Sequence, residues 1–208
     1  MGVDARRSGK ARPDHHGLDP GAGVKWSAII AAAKEVKERL EEAGLVAFLK
    51  TSGGKGLHVV APLTPKANWP SVKSFTKAMA VAMAADAPNS YVSTISKAQR
   101  TGKILIDYLR NQRGATAVAP YSSRARPVAA VSAPLSWDEL GPDIGPDHFT
   151  ILNMSSRVAA LDHDPWHDFH TAAVPLFSKG KPSRFVPRFR YETNDHSYSR
   201  HTCHGATG

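Results

Sequence analysis

The stretch Lys50-Thr-Ser-Gly-Gly-Lys-Gly-Leu-His58 decides how the fold of this chain is interpreted. It is rich in glycine and lies between two apolar runs, so it predicts the tight connection of a hairpin between two short strands. The backbone N–H groups of such a loop can point to one spot, around which Ser52, Lys55 and His58 add a hydroxyl, an ammonium and an imidazole. This set of donors suits a polyphosphate. The alternative is a solvated, glycine-rich turn.

The stretch does not form a P-loop motif. A Walker A motif reads G-x-x-x-x-G-K-[ST]. Around its Gly-Lys pair this chain has Leu49 in place of the first glycine and Gly56 in place of the final Ser or Thr. Any phosphate site at this loop is therefore of another kind.

The overall charge favours a polyanionic partner. The 208 residues include 27 Lys and Arg against 18 Asp and Glu, a formal charge of +9, which favours binding of nucleic acid or nucleotides. No apolar run approaches the roughly 20 residues that span a bilayer, and the basic N-terminus lacks the apolar segment of a signal peptide. The single cysteine, Cys203, excludes a disulfide within the chain. We expect a cytoplasmic protein that is neither membrane-bound nor secreted.

Composition divides the chain into three parts. Residues 1–18 are polar and basic and lack an apolar period, which predicts a disordered leader. Residues 19–170 alternate between helical and strand patterns and predict a partial α/β domain. Residues 171–208 are basic and rich in Pro, Ser and His, so we expect a tail with little regular structure.

The central part predicts an α/β (α+β) fold with a curved, mixed, mostly antiparallel sheet flanked by helices. Apolar residues recur at helical spacing over 26–42 and 70–85, and Ser136-Trp-Asp-Glu139 has the form of a capping box that opens a short helix. A further helical stretch covers 154–161. The strand patterns lie at residues 45–49, 57–61, 91–95, 104–108, 116–120, 128–131 and 149–152.

Asp107 is a carboxylate in an otherwise apolar strand. The alternation of a strand places it on the face opposite to Ile104 and Ile106. Burial of a charge without a partner costs on the order of several kcal/mol. Two explanations are open, namely an ion pair with Arg110 or Arg113, or a bound metal ion.

Four stretches, taken in order, resemble one protein family. They are Leu18-Asp-Pro-Gly21, the Lys50 to His58 stretch, Ile104-Leu-Ile-Asp-Tyr-Leu-Arg-Asn111, and Ala119-Pro-Tyr-Ser-Ser-Arg-Ala-Arg126 with Pro134-Leu-x-Trp137-Asp-Glu-Leu140. From about residue 18 to about residue 169, the pattern resembles the polymerase domain of bacterial multifunctional DNA ligase D, a member of the archaeo-eukaryotic primase superfamily. The resemblance implies a primase-polymerase-like fold.

The resemblance also implies a metal site. Asp19 matches the second aspartate of the family's Asp-x-Asp motif, and Asp107 matches a third metal-binding carboxylate. The implied cofactor is Mn²⁺ or Mg²⁺, because paired divalent ions in such sites need facing carboxylates. By resemblance, both residues are catalytic.

The implied nucleotide site is formed by five residues. Ser52 and His58 match residues that hold the triphosphate of the incoming nucleotide, and Lys55 lies in the same loop. Arg124 matches a phosphate-binding arginine, and Arg126 lies beside it. Cationic donors of this kind neutralise a triphosphate.

The function implied is template-directed nucleotidyl transfer to DNA 3′-ends, which fills gaps and extends ends in bacterial non-homologous end joining. The expected partners are a nucleoside triphosphate, DNA ends, and a DNA ligase and an end-binding protein of the same pathway. We expect no membrane partner.

Three departures from the family predict an impaired copy. Gly17 stands where the family has the first aspartate of Asp-x-Asp, and Asp14-His-His16 precedes it instead of an apolar strand. The N-terminal region of the family is missing, and the tail after about His170 is unlike the family. We expect a truncated copy with ends from altered reading frames. The alternative function is a non-catalytic remnant that binds nucleotide or DNA.

Overall fold

A computed structural model describes residues 13–176, which form one six-stranded sheet with helices packed against it. The elements are β1 (Asp14–Pro20), α1 (Trp26–Glu42), β2 (Phe48–Thr51), β3 (Leu57–Ala61), α2 (Trp69–Asp86), β4 (Tyr91–Val92), β5 (Ile104–Asp107), β6 (Pro134–Leu135) and α3 (Met154–Ala160). The strand order is β4-β5-β1-β3-β2-β6. Only the β4–β5 pair is parallel among these strands. The predicted mixed, mostly antiparallel sheet with flanking helices is confirmed.

Helix α1 follows from the spacing of its apolar residues, and its predicted bounds are confirmed. The buried residues, which recur at helical spacing and line one face, are Ile29, Ala32, Ala33, Val36 and Leu40. The helix stops before Gly44, whose φ of 79° is accessible to glycine without steric cost. Through its apolar face α1 packs on β1 and β3.

Helix α2 begins at a side-chain cap. The Asn68 side chain accepts a hydrogen bond from the backbone N–H of Ser71 at 2.9 Å, which satisfies one of the open donors of the first turn. Pro70 occupies an early helical position, where its missing N–H has no cost. The predicted apolar stripe is buried and consists of Val72, Phe75, Met79 and Met83.

One row of residues crosses four strands of the sheet. Strand pairing places Asp107 of β5 opposite Gly17 of β1, Gly17 opposite His58 of β3, and His58 opposite Lys50 of β2. Directly paired residues of antiparallel strands face the same side, so the row lies on one face. The next residue of β1, Leu18, faces the other side and is fully buried in the core. Helices α1 and α2 pack against the strands on that second face, which leaves the row facing away from these two helices.

The predicted leader of residues 1–18 overlaps the first strand, so its boundary is wrong for residues 14–18. β1 pairs with β3 from Asp14 to Leu18. Asp14 and His16 are fully buried and contact each other, with His16 Nε2 3.1 Å from Asp14 Oδ1. This pairing lets two polar side chains occupy inward positions of a strand. Residues 1–12 lie outside the described part of the chain.

The predicted tail also begins too early. The backbone N–H of Thr64 donates to the carbonyl of Val174 at 3.0 Å, and Leu176 is buried. Residues 171–176 therefore pack on the domain. The rest of the predicted tail, 177–208, lies outside the described residues.

Three predicted strands, at 116–120, 128–131 and 149–152, are not part of the sheet. Residues 116–119 have no regular structure, and the other two segments contain turns and isolated bridges, such as Ala130 with Thr150. Tyr121 and Ala129 have positive φ values of 61° and 44°, which interrupt an extended backbone. The predicted helix at Ser136 is only a turn, although Glu139 Oε2 accepts from the Ser136 N–H at 2.8 Å as a capping box requires.

No helix among residues 13–176 has both the length and the apolar character that crossing a membrane requires.

Candidate functional site

The seven residues predicted for the site all line one cleft of about 600 Å³. They are Asp19, Ser52, Lys55, His58, Asp107, Arg124 and Arg126. The cleft is also lined by Arg100, Arg110 and the segment 116–118. The structure thus brings together residues that are up to 107 positions apart in the sequence, from Asp19 to Arg126. Their individual roles stay predictions.

The two carboxylates lie on neighbouring strands. Asp19 pairs with Leu105, and Gly17 pairs with Asp107, so Asp19 and Asp107 occupy diagonal positions on the same face of the sheet. Burial raises the pKa of the Asp19 carboxyl, and the negative charge of Asp107 raises it further. The charges of Arg100 and other arginines act in the opposite direction. A cation between the two carboxylates would relieve their repulsion.

Asp107 has an ion-pair partner as well as a place in the cleft. Arg110 Nε lies 3.5 Å from Asp107 Oδ2, and the backbone N–H of Leu109 donates to Asp107 Oδ1 at 2.8 Å. The Arg110 side chain is 54% exposed, so solvent screens its charge and weakens the contribution of the pair to stability. The predicted ion pair between Asp107 and Arg110 is therefore present. Asp107 nevertheless lines the cleft together with Asp19.

Gly17 leaves a gap beside Asp107. A Cβ atom built on Gly17 would lie 3.3 Å from the Cβ of Asp107 and 3.9 Å from its Oδ2. No group of three His, Cys, Asp or Glu side chains placed to hold a metal ion is found among residues 13–176. Two carboxylates fit one Mg²⁺, which commonly takes its other ligands from phosphate oxygens and water. They do not supply the three carboxylates that the family resemblance implies.

The glycine-rich loop is packed against β1, so it is not the solvated turn of the alternative interpretation. A Cβ atom on Gly56 would lie 1.8 Å from the carbonyl oxygen of Leu18, and only glycine permits this approach. Ser52 is 8% exposed, and its Oγ accepts from the Gly56 N–H at 3.2 Å. Lys55 is the exposed member of the loop.

Basic side chains are in excess around the cleft, and together they are called its basic wall. Its cations are Lys55, Arg100, Arg110, Arg124 and Arg126, against the two carboxylates Asp19 and Asp107. The backbone N–H of Arg124 donates to the Ala130 carbonyl at 2.8 Å, which holds the arginine segment against the loop. This excess of positive charge favours an anion that carries several charges.

Two basic residues near the site received no predicted role. Arg100 lines the cleft, and its backbone packs closely on Gly21. A Cβ atom on Gly21 would lie 1.7 Å from the Arg100 carbonyl oxygen. That close approach has no signal in the sequence beyond the glycine itself. Lys50 belongs to the stretch quoted first, but a buried lysine that contacts a histidine cannot be distinguished by pattern from an exposed one.

His58 is a neutral imidazole held by this lysine. Lys50 is fully buried, and its Nζ lies 3.2 Å from His58 Nδ1. Burial lowers the pKa of His58 to about 2, and the positive charge of Lys50 contributes to this shift. Burial likewise lowers the pKa of Lys50 to about 7, with a further contribution from Arg124. His58 can therefore donate one hydrogen bond without carrying a charge.

A family model and curated relatives both match this chain to LigD proteins. Residues 5–166 match the family model described as LigD, primase-polymerase domain. The chain is 39% identical over 161 residues to the multifunctional non-homologous end joining protein LigD of Pseudomonas aeruginosa, which covers 76% of this chain and 19% of that protein. It is 30% identical over 154 residues to the bifunctional LigD of Bacillus subtilis, covering 74% of this chain and 25% of that protein.

A solved structure shares the fold. The polymerase domain from Mycobacterium tuberculosis Ligase D in complex with DNA has a TM-score of 0.72 and 32% sequence identity, over 79% of this chain and 57% of that chain. The chain thus spans only about a fifth to a quarter of the length of the two curated relatives. On the match over residues 5–166, the chain belongs to the LigD primase-polymerase domain family.

Proposed function

We propose that the cleft binds a nucleoside triphosphate with Mn²⁺ or Mg²⁺ and serves template-directed nucleotidyl transfer to DNA 3′-ends in bacterial non-homologous end joining. The observation that carries this proposal is the convergence of two carboxylates and five cations on one cleft of about 600 Å³. A metal–triphosphate complex has the matching charges, because its cation suits the carboxylates and its phosphates suit the arginines. Family membership supports the class of reaction.

The triphosphate would be held by the loop and the basic wall. Ser52 offers a hydroxyl, and His58 offers an N–H from a neutral ring. Arg124 and Arg126 face the loop, since a Cβ on Gly54 would lie 3.6 Å from the Arg126 guanidinium carbon. Arginine can donate two parallel hydrogen bonds to a phosphate. Lys55, which is exposed, would neutralise the outer end of the anion.

Asp19 and Asp107 would hold the metal ion. When bound, a divalent ion stabilises the charge of the transferring phosphoryl group and of the leaving pyrophosphate. The two carboxylates would hold this ion beside the basic wall, and the pairing of β1 with β5 fixes the separation of Asp19 and Asp107. Burial raises the pKa of Asp19 and the charge of Asp107 raises it further, and a cation shared by the two carboxylates would relieve the repulsion between them.

A non-catalytic function is the second candidate, and Gly17 favours it. With two carboxylates instead of three, we infer that the chain binds metal–nucleotide but transfers nucleotides poorly. The ion that would be lost most easily is the one that activates the 3′-hydroxyl, because the other is also held by the triphosphate. This reading makes the chain a nucleotide- or DNA-binding remnant of the domain.

We further propose DNA ends as a partner, together with a DNA ligase and an end-binding protein of the same pathway, acting in the cytoplasm. The solved relative from Mycobacterium tuberculosis is a complex with DNA. The formal charge of +9 supports an interaction with a polyanion of this kind.

The two candidate functions are separated by primer extension with Mn²⁺, run beside a calorimetric titration with nucleoside triphosphate. Extension that depends on the template supports the enzyme. Binding without extension supports the remnant. Neither binding nor extension would contradict both.

A further inference from the structure

Lys50 makes three contacts in a space closed to solvent. It lies on β2 directly opposite His58 on β3, and its side chain is fully buried. Its Nζ is 2.9 Å from the carbonyl oxygen of Val118, 2.8 Å from Ser132 Oγ and 3.2 Å from His58 Nδ1. The residue is not among those that line the cleft. Two of its three contacts, Val118 and His58, line the cleft, and of these two only His58 has a side chain that can hydrogen-bond an anion.

The protons of these groups can be counted. Ser132 Oγ donates its single hydrogen to the Thr51 carbonyl at 2.7 Å, so it must accept from Lys50. The carbonyl of Val118 can only accept. Two of the three Nζ protons of an ammonium are thus used, and the third points to Nδ1 of His58. A neutral ring that accepts at Nδ1 carries its own proton at Nε2.

We propose that Lys50 is a positioning residue which, by donating to Nδ1 of His58, holds the imidazole in the tautomer whose Nε2–H serves the anion in the cleft. The tautomer follows from the hydrogen-bond count, whereas its effect on anion binding rests on the proposed function. In the other tautomer, Nε2 would present a lone pair, which repels a phosphate oxygen. Lys50, on the neighbouring strand β2, thus determines whether Nε2 of His58 donates or accepts a hydrogen bond.

The ionisable groups around Lys50 are consistent with an Nε2–H tautomer of His58. His58 on β3 and His15 on β1 have lowered pKa values, to about 2 and about 3, caused first by burial, so both rings are neutral at pH 6. Arg124 contributes a positive charge from the cleft side. On the other side, the ionisable residues that line the apolar pocket with Lys50 are His15, Tyr121, Asp164 and His170. Of the three groups His58, His15 and Arg124, only His58 has a nitrogen at hydrogen-bond distance from Lys50 Nζ.

The first arm of the test measures the tautomer directly. Long-range ¹H–¹⁵N correlation spectra of the histidine-labelled chain distinguish Nδ1–H from Nε2–H rings, and His58→Ala identifies the His58 signals. At pH 6 we expect Nε2–H in the unaltered chain. In Lys50→Met, which removes the donor with little change in side-chain length, we expect the Nδ1–H form to become populated. An Nδ1–H ring in the unaltered chain would overturn the proposal, and this result does not depend on whether the variant folds.

The second arm measures the consequence with inorganic triphosphate as the ligand. We expect Lys50→Met to weaken binding about tenfold, the order expected for one hydrogen bond to a charged group. In a His58→Ala background the same change should have little further effect, because Lys50 acts through the ring. Lys50→Arg, which keeps a charged donor, should restore part of the affinity. Lys66→Met, at an exposed lysine, controls for the loss of one positive charge.

The two arms separate this inference from the proposed function. Unchanged binding in His58→Ala would contradict the role of His58 in holding phosphate. An unchanged tautomer in folded Lys50→Met, or a full additional loss of binding when Lys50→Met is added to His58→Ala, would contradict the positioning role of Lys50.

Discussion

Gly17 of β1 lies directly opposite Asp107 of β5, and a Cβ atom on Gly17 would be 3.3 Å from the Asp107 Cβ. A side chain at position 17 would therefore enter the space between the two carboxylates of the cleft and the ring of His58. The family resemblance implies an aspartate at this position. Because of this pairing, the residue at position 17 determines whether a third carboxylate lies beside Asp107, and so whether an active enzyme or a binding remnant is expected.

Gly17→Asp should restore the third carboxylate. Without metal, crowding of three negative charges should lower the melting temperature, and Mn²⁺ should raise it more than in the unaltered chain. We expect a gain of at least about tenfold in Mn²⁺ affinity, comparable to the effect of a supporting ligand residue. Primer extension should increase with it and be abolished by Asp107→Ala.

The matched control for this change is Gly17→Asn, which has the same shape without the charge. It should gain neither metal affinity nor extension. Strong extension by the unaltered chain would contradict the account of Gly17, as would equal metal affinity in the Asp and Asn variants.

His58→Ala and Arg124→Ala should each weaken triphosphate binding by roughly 1.5–3 kcal/mol, the range for hydrogen bonds to charged groups. Both should act less on a nucleoside monophosphate, because fewer phosphate contacts are lost. Isothermal titration with the two ligands checks this, with the exposed Lys34→Ala as a control. An equal loss for both ligands would place the two side chains away from the phosphates.

The chain should lose stability in acid because of two neutral histidines. Burial lowers the pKa of His15 to about 3 and that of His58 to about 2 in the folded chain, whereas in the unfolded chain both bind protons below about 6.5. The unfolded state then holds more protons, so the free energy of unfolding falls as pH drops from about 6.5 to about 3. The slope is at most about 1.4 kcal/mol per pH unit for each histidine.

Urea unfolding at a series of pH values measures this slope. His15→Gln and His58→Gln should each flatten it, whereas His163→Gln, at an exposed histidine, should not. A stability that does not change between pH 7 and pH 4 would show that the two rings are protonated as readily in the folded chain as in the unfolded one.

Gly56→Ala should destabilise the hairpin. Its Cβ would lie 1.8 Å from the Leu18 carbonyl oxygen, so the loop or β1 must move, at a cost of about 2 kcal/mol or more. Gly141→Ala, whose nearest atom would lie 4.0 Å away, is the control. Thermal unfolding compares the two, and equal melting temperatures would argue against the close packing of the loop on β1.

The sequence predicted the long helices and the hairpin because their signals are local. The apolar stripe of α1 and the stop at Gly44 determine its bounds without reference to the rest of the chain. The ordered motifs also predicted that Asp19, Asp107 and the loop share one site, and the structure places them around one cleft.

The features that the sequence did not predict depend on burial, on long-range contacts or on unusual backbone angles. Asp14 and His16 resemble loop residues until their mutual contact inside the sheet is seen. His15 of the same strand exchanges two backbone hydrogen bonds with the Asn111 side chain, at 2.8 Å and 2.6 Å. Such a partner 96 positions away has no sequence signal. The segment around Tyr121 and Ala129 departs from strand geometry because both have positive φ.

Calorimetric titration of ATP with Mn²⁺ measures whether the cleft binds a metal–triphosphate complex through its basic wall. We expect saturable binding at one site that requires Mn²⁺, is weakened at least about tenfold in Arg124→Ala, and is unaffected by Lys34→Ala. Absence of saturable binding in the folded chain, or equal affinity in Arg124→Ala and the unaltered chain, would contradict it.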